Sequence, residues 1–235
     1  MTRLAEGRST HLERSEIAAE TLRLFDQGSD PSIRQLAKEL AVTPSAIYHH
    51  FESRTEIVKA AVDLVWQEIL TNIFNAVGDP FQADPLEVML ATGVATRHGF
   101  ADHYAMAPYM AAVPESDELT AGALGMFANV FERYGIKGER AADAFHAYAS
   151  YVFGTSLFNA NRIAARAEME ATKRESRGAD RFRSRTPDEL AGQSDAETRS
   201  ALDSVVDLSV FDPDKDEVLF KHGLQRLMES LKQST

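Results

Sequence analysis

The sequence predicts an all-α protein, with a small N-terminal unit over residues 1–54 and a larger helical body over residues 55–235. Apolar residues recur at helical spacing from one end to the other, and no alternating apolar–polar run is long enough for a strand. Turn residues cut the first third into short, well-marked pieces. With 44% hydrophobic and 26% charged residues, the 235-residue chain has the composition of a protein that buries a core.

The elements follow in order. Ile17, Thr21, Leu24 and Phe25 share one helical face, and Gly28 with Asp30-Pro31 ends that helix. Ser32 and Gln35 form an S-x-x-Q capping box, behind which Ile33, Leu36, Ala37 and Leu40 keep an i, i+3, i+4, i+7 stripe. Ala41-Val42 makes a tight connection. Thr43 can cap the next helix and Pro44 suits its first turn, where a missing N–H is harmless. Ala46 and Ile47 are expected to face inward, and Phe51 to close this short helix. Ser53 and Glu56 read as a second capping box, opening an amphipathic helix that Gly78-Asp79-Pro80 stops. Further helices are expected near 85–103, 105–113, 117–134, 139–170, 195–208 and 213–232. Between about 171 and 194 apolar residues nearly vanish, which predicts a mobile loop.

Composition excludes several classes of function. There are no cysteines, so disulfides, thiol nucleophiles and cysteine-held zinc are ruled out. No run approaches the ~18 apolar residues of a membrane span, and Met1 to Arg14 lack the apolar stretch of a secretory signal. A cytoplasmic protein with no membrane partner is expected. Phosphate-binding glycine loops, the H-E-x-x-H zinc motif and the G-x-S-x-G nucleophile motif are all missing, so the sequence is not read as an enzyme.

The net charge of −11 argues against a protein that coats nucleic acid indiscriminately. Its distribution is uneven, however. Residues 1–54 carry 7 basic and 8 acidic side chains, and the excess acid lies in the rest. DNA binding by the N-terminal unit is permitted by this balance without being indicated by it.

The indication comes from two short helices joined by a tight turn and resting on a first helix, a helix-turn-helix arrangement. A helix of barely two turns does not persist alone, so it needs apolar anchors, here Val42, Ile47 and Phe51. Its other side offers Thr43, Ser45, Tyr48, His49 and His50, hydroxyls and imidazoles that can reach phosphates and base edges. Contact with DNA is the favoured reading. Packing of the same side against a neighbouring helix is the alternative.

The segment from Glu16 to Glu56 contains Ser32-Ile33-Arg34-Gln35-Leu36-Ala37, then Leu40-Ala41-Val42-Thr43, then Ala46-Ile47-Tyr48-His49-His50-Phe51 and Ser53-Arg54. It resembles the TetR family of bacterial transcriptional repressors, closest in pattern to the Tet repressor branch. The resemblance is weaker beyond, carried by the Gly154 region and by Phe220-Lys221-His222-Gly223-Leu224-Gln225-Arg226-Leu227-Met228. It implies that Arg34 reads a guanine through its two-pronged guanidinium. It also implies that Thr43, Pro44, Ser45 and Ala46 touch bases, that Tyr48, His49 and His50 contact phosphates or flank the base-reading surface, and that Arg54 contacts phosphate. One departure is Ala41, where the turn usually carries glycine. A left-handed backbone there would cost alanine roughly 1 kcal/mol.

The same resemblance implies a homodimer through helices near 139–170 and 213–232. Phe220, Leu224, Leu227 and Leu231 have the 4-3-4 spacing of a packing seam, and Gly154 would allow close approach; a purely intramolecular core is the alternative. Between Pro85 and Asn161, His98, His103, Tyr104, Met106, Tyr109, Met110, Phe127, Phe131, His146, Tyr148, Tyr151 and Asn159 suit a largely apolar pocket for a bulky, partly aromatic ligand. The Tet repressor branch holds its drug as a magnesium chelate. Ser150 and Phe158 stand at the histidine and carboxylate positions of that site, and Leu70 at a further histidine position, so neither a metal nor a cofactor is expected.

The expected protein is therefore all-α, with an N-terminal three-helix helix-turn-helix DNA-binding domain and a C-terminal helical ligand-binding and dimerisation domain. It would act as a repressor that binds a palindromic operator as a dimer and is released by a small molecule. A TetR-like ligand-binding or scaffold protein without operator binding is the other reading.

Overall fold

The computed structural model describes residues 12–112, 117–175 and 213–233. Every regular element among them is helical: α1 (Arg14–Asp26), α2 (Ile33–Glu39), α3 (Pro44–Tyr48), α4 (Arg54–Val77), α5 (Pro85–Asp102), α6 (Ala107–Ala112), α7 (Asp117–Tyr134), α8 (Glu139–Glu175) and α9 (Pro213–Gln233). The helix expected near 195–208, and the loop expected at 171–194 beyond Glu175, lie outside the described residues. Residues 171–175 are not loop, since they continue α8. No helix among the described residues is long and apolar enough to cross a membrane.

The N-terminal unit forms as its caps dictate. Ser32 and Gln35 make the full reciprocal box on α2, and Thr43 Oγ1 accepts from the Ala46 amide at 3.2 Å with Pro44 in the first turn of α3. The second expected box is only half formed: Ser53 accepts from the Glu56 amide, but the Glu56 carboxylate reaches back to the Glu52 amide instead of that of Ser53. Ala41 has φ 55°, the left-handed conformation that lets the chain turn between α2 and α3.

Ile17, Leu24, Leu36, Ala37, Ile47, Phe51 and Ile57 form one small core. Ile57 lies in the first turns of α4, so the head core crosses the expected boundary at residue 54. Phe25, on another side of α1, packs into a second core with Val58, Val62, Val65 and Ile69 of α4, Phe100 of α5 and Met106 and Met110 beside and within α6. Helices α1 and α4 therefore belong to both units.

Helix α5 is buried on most of its circumference and forms the axis of the body. Gly93 lets α9 lie close, since a Cβ there would stand 2.5 Å from a methyl of Leu224. Arg97, also buried, is neutralised by Asp216 of α9, donates to the Thr155 carbonyl and lies over the Phe220 ring.

This arrangement corrects the expected dimer seam. Phe220 and Leu224 are buried, and Leu227 and Leu231 partly so, in a core that the chain builds itself from α5, α7, α8 and α9. Leu224 fits there because Gly93 opposes it with no side chain. Different residues stay outside: Gly154 and Phe158 on α8, and Val218 and Leu219 on α9.

Candidate functional site

The head core holds α3 by Ile47 and Phe51, which are 0% and 1% exposed. That anchoring turns Tyr48, 54% exposed, and His49 to the outside. Arg34, Thr43, Pro44 and Ser45 are exposed as well, while Ala46 and His50 are half-buried. Most of the residues expected to meet DNA thus lie on α2, on α3 and just to either side of α3, while Arg54 stands apart at the start of α4.

Two of the surrounding contacts have no counterpart in the sequence reading. Arg14 donates to the His50 carbonyl and lies 4.0 Å above the Phe51 ring, fixing the end of α3. Arg54 is paired with Asp30 and donates to the Pro31 carbonyl at 3.1 Å, while Asp30 also accepts from the Tyr109 hydroxyl at 3.3 Å. The guanidinium expected to meet a phosphate is therefore positioned by the α1–α2 turn, which α6 in turn holds.

The body contains a cavity of about 270 Å³, small for a ligand site. Helix α4 contributes Trp66, Ile69, Leu70 and Ile73; α5 contributes Thr92 and Thr96; α7 and α8 close it with Leu119, Leu124, Met126, Phe127, Phe145, Tyr148, Val152 and Phe153 among others. Tyr148 donates to the Met89 carbonyl at 2.8 Å, and full burial pushes its hydroxyl pKa up.

Of the twelve expected ligand residues, Phe127 and Tyr148 line this cavity. The others lie elsewhere, mostly with partners of their own. His98 meets Glu217 at 2.8 Å and, with Asn159, borders a surface cleft between α5, α8 and α9. Hydrogen bonds from Lys221 and His98 hold the Glu217 carboxyl below its usual range. His103 sits between Asp26 and Glu68, and Tyr109 packs edge-on against Phe25. Tyr151 stacks on Phe220 and donates to its carbonyl. Met106, Met110 and Phe131 are core residues, Tyr104 packs beside the core and His146 is exposed.

Trp66, Thr92 and Thr96 escaped the sequence reading. Their signal was available: Thr92 and Thr96 are four apart on one face of a helix, and Trp66 is the single tryptophan of the chain.

Residues 17–61 match the profile of the tetR family of bacterial regulatory proteins. The chain carries a TetR-family domain. The TetR-type fold continues through the body. The chain superposes on the ActR protein of Streptomyces coelicolor in complex with actinorhodin with a TM-score of 0.69 at 21% identity, covering 94% of this chain and 96% of that one. Apo ActR gives 0.66 at 19% identity over 97% of both chains. A variant of TetR from Acinetobacter baumannii AYE, in complex with minocycline, gives 0.63 at 17% identity over 95% and 98%. No curated protein matches this chain in sequence.

Proposed function

We propose that the protein is a ligand-responsive transcriptional repressor that binds a palindromic operator as a homodimer. The reader is the head, within residues 1–54 and the first turns of α4, and the remainder senses and dimerises. One observation carries the reading: α4 is continuous from Arg54 and Ile57 in the head to Trp66, Ile69, Leu70 and Ile73 in the cavity wall. At 1.5 Å per residue its 24 residues span about 36 Å, so a ligand pressing on the wall can move the head without an intermediary.

In this mechanism Arg34 reads a base edge, Thr43, Pro44, Ser45 and Ala46 meet bases, and Tyr48, His49, His50 and Arg54 grip the backbone. One α3 is too short for tight specific binding, whereas two copies about 34–36 Å apart reach successive major grooves. The outward face of α8, with Gly154 and Phe158, and the exposed Val218 and Leu219 of α9 supply the pairing surface. A ligand that prefers the conformation with the wrong head spacing releases the operator by its difference in affinity for the two states.

The ligand in this reading is partly aromatic, matching the rings of Trp66, Phe127, Phe145, Tyr148 and Phe153. The cavity volume suits two or three fused rings better than the bulkier compound expected from sequence. The neighbours solved with actinorhodin and minocycline are consistent with a ligand-bound body. A mobility-shift assay on the DNA upstream of the chain's own gene tests the proposal. A specific complex with two-fold symmetric protection supports it, and no specific complex at moderate salt favours a scaffold protein that has lost operator binding.

A further inference from the structure

The corner between α5 and α6 grips the head at two points. His103, just past α5, is engaged at both ring nitrogens, Nδ1 by Asp26 at the end of α1 and Nε2 by Glu68 of α4. Tyr109 of α6 donates to Asp30 in the turn after α1, and Asp30 pairs with Arg54. The first grip depends on a proton. A neutral imidazole has one N–H, so it donates to one carboxylate and turns a lone pair toward the other, whereas the imidazolium donates to both. With carboxylates at opposite nitrogens, only the protonated ring satisfies the geometry. Burial of the ring opposes its charge, and Asp26 and Glu68 together outweigh that. Helix α6 carries no charged residue, and its one titratable side chain, Tyr109, is spent on Asp30. Of the residues flanking His103, Asp102 is exposed and Tyr104 packs beside the core.

We infer that His103, in its protonated form, is a positioning residue that fixes the head on the body, and that operator binding is therefore linked to a proton. This rests on the head being an operator reader. When the ring loses its proton, one carboxylate loses its donor, and two like charges face each other across a neutral ring. The end of α1 is then held less firmly. The two heads of a dimer lose part of their fixed spacing, and DNA must supply the ordering at a cost in affinity.

The test uses the full-length protein and the DNA fragment from upstream of the chain's own gene, titrated at constant salt between about pH 6 and 9, the range in which a histidine of this kind changes charge. His49 and His50, at the end of α3, are common to wild type and His103→Gln, so their response to acid cancels in the comparison. The glutamine amide can still hydrogen-bond but takes up no proton. Wild-type affinity should fall across the range by at least about fivefold more than that of the variant, the low end of coupling between distinct sites. Linkage is reciprocal, so saturation with the fragment should raise the titration midpoint of the His103 ring, read by NMR in wild-type protein carrying labelled histidine. Parallel pH profiles, or a midpoint that the bound fragment leaves unmoved, would overturn the inference and leave the head as a reader. No specific complex at any pH would overturn both.

Discussion

His103 Nδ1 lies 2.9 Å from Asp26 Oδ1, and its Nε2 lies 3.3 Å from Glu68 Oε2. One imidazole therefore ties the end of α5 to the end of α1 and to the middle of α4, joining body to head. Burial by itself would lower the His103 pKa, but the hydrogen bonds and charges of Asp26 and Glu68 outweigh it and raise the value above the ordinary 6.5. A raised folded-state pKa means that this tie contributes fully below about pH 6.5 and fades as pH climbs through the raised value. His103→Gln should thus lose most stability relative to wild type in mild acid and least in mild alkali. Urea unfolding of both proteins between about pH 5.5 and 9 checks this, and a difference that does not vary with pH would contradict it.

Arg34→Ala and Arg54→Ala should separate. Arg34 is exposed beside the turn, and its loss should relax preference at one base pair by about 1–3 kcal/mol. Arg54 is already held by Asp30 and Pro31, which orients it and leaves other N–H groups of its guanidinium to donate. Its loss should weaken binding to all sequences and lower the salt slope by about one. It should also reduce thermal stability slightly, which Arg34→Ala should not. Affinity titrations at several salt concentrations distinguish the two patterns, and matching behaviour would refute both assignments.

Ala41→Gly should stabilise the head. At φ 55° an alanine Cβ crowds the following carbonyl, and this exposed residue has little packing to lose. The gain should be roughly 0.5–1 kcal/mol by chemical denaturation, with DNA affinity unchanged.

Glycines 93 and 154 should respond oppositely to alanine. In Gly93→Ala the new methyl would meet Leu224 at 2.5 Å and Phe220 at 3.3 Å, lowering stability by about 1–3 kcal/mol. Nothing among the described residues lies within 4 Å of a Cβ at position 154. Gly154→Ala should therefore leave the protomer as stable or firmer, by up to about 1 kcal/mol of helix propensity. If α8 pairs across that face, the same change should weaken self-association, which sedimentation equilibrium measures.

Most features set within a few residues of each other were legible in the sequence, the half-formed Ser53–Glu56 box apart, and those set by distant partners were not. The Ser32–Gln35 box, the Thr43 cap, Pro44 in the first turn of α3 and the strained Ala41 all depend on immediate neighbours. The Phe220–Leu224–Leu227–Leu231 seam has a period, but a period does not say what lies opposite. Gly93, far away in the chain, decides that the partner is internal. The ligand residues failed for a related reason. Aromatic and imidazole tips were read as lining a cavity, whereas Tyr109, Tyr151, His98 and His103 each found an acceptor or carboxylate elsewhere. The cavity formed instead between α4, α5, α7 and α8, where aliphatic and threonine side chains join the rings of Trp66, Phe127, Phe145, Tyr148 and Phe153.

The central claim is that α3 reads a particular DNA sequence. Its most direct test is a competition titration at moderate salt, in which a labelled fragment from upstream of the chain's own gene is displaced by itself or by scrambled DNA. A reader of this kind should prefer its operator by at least about a thousandfold. A ratio near one would contradict the claim.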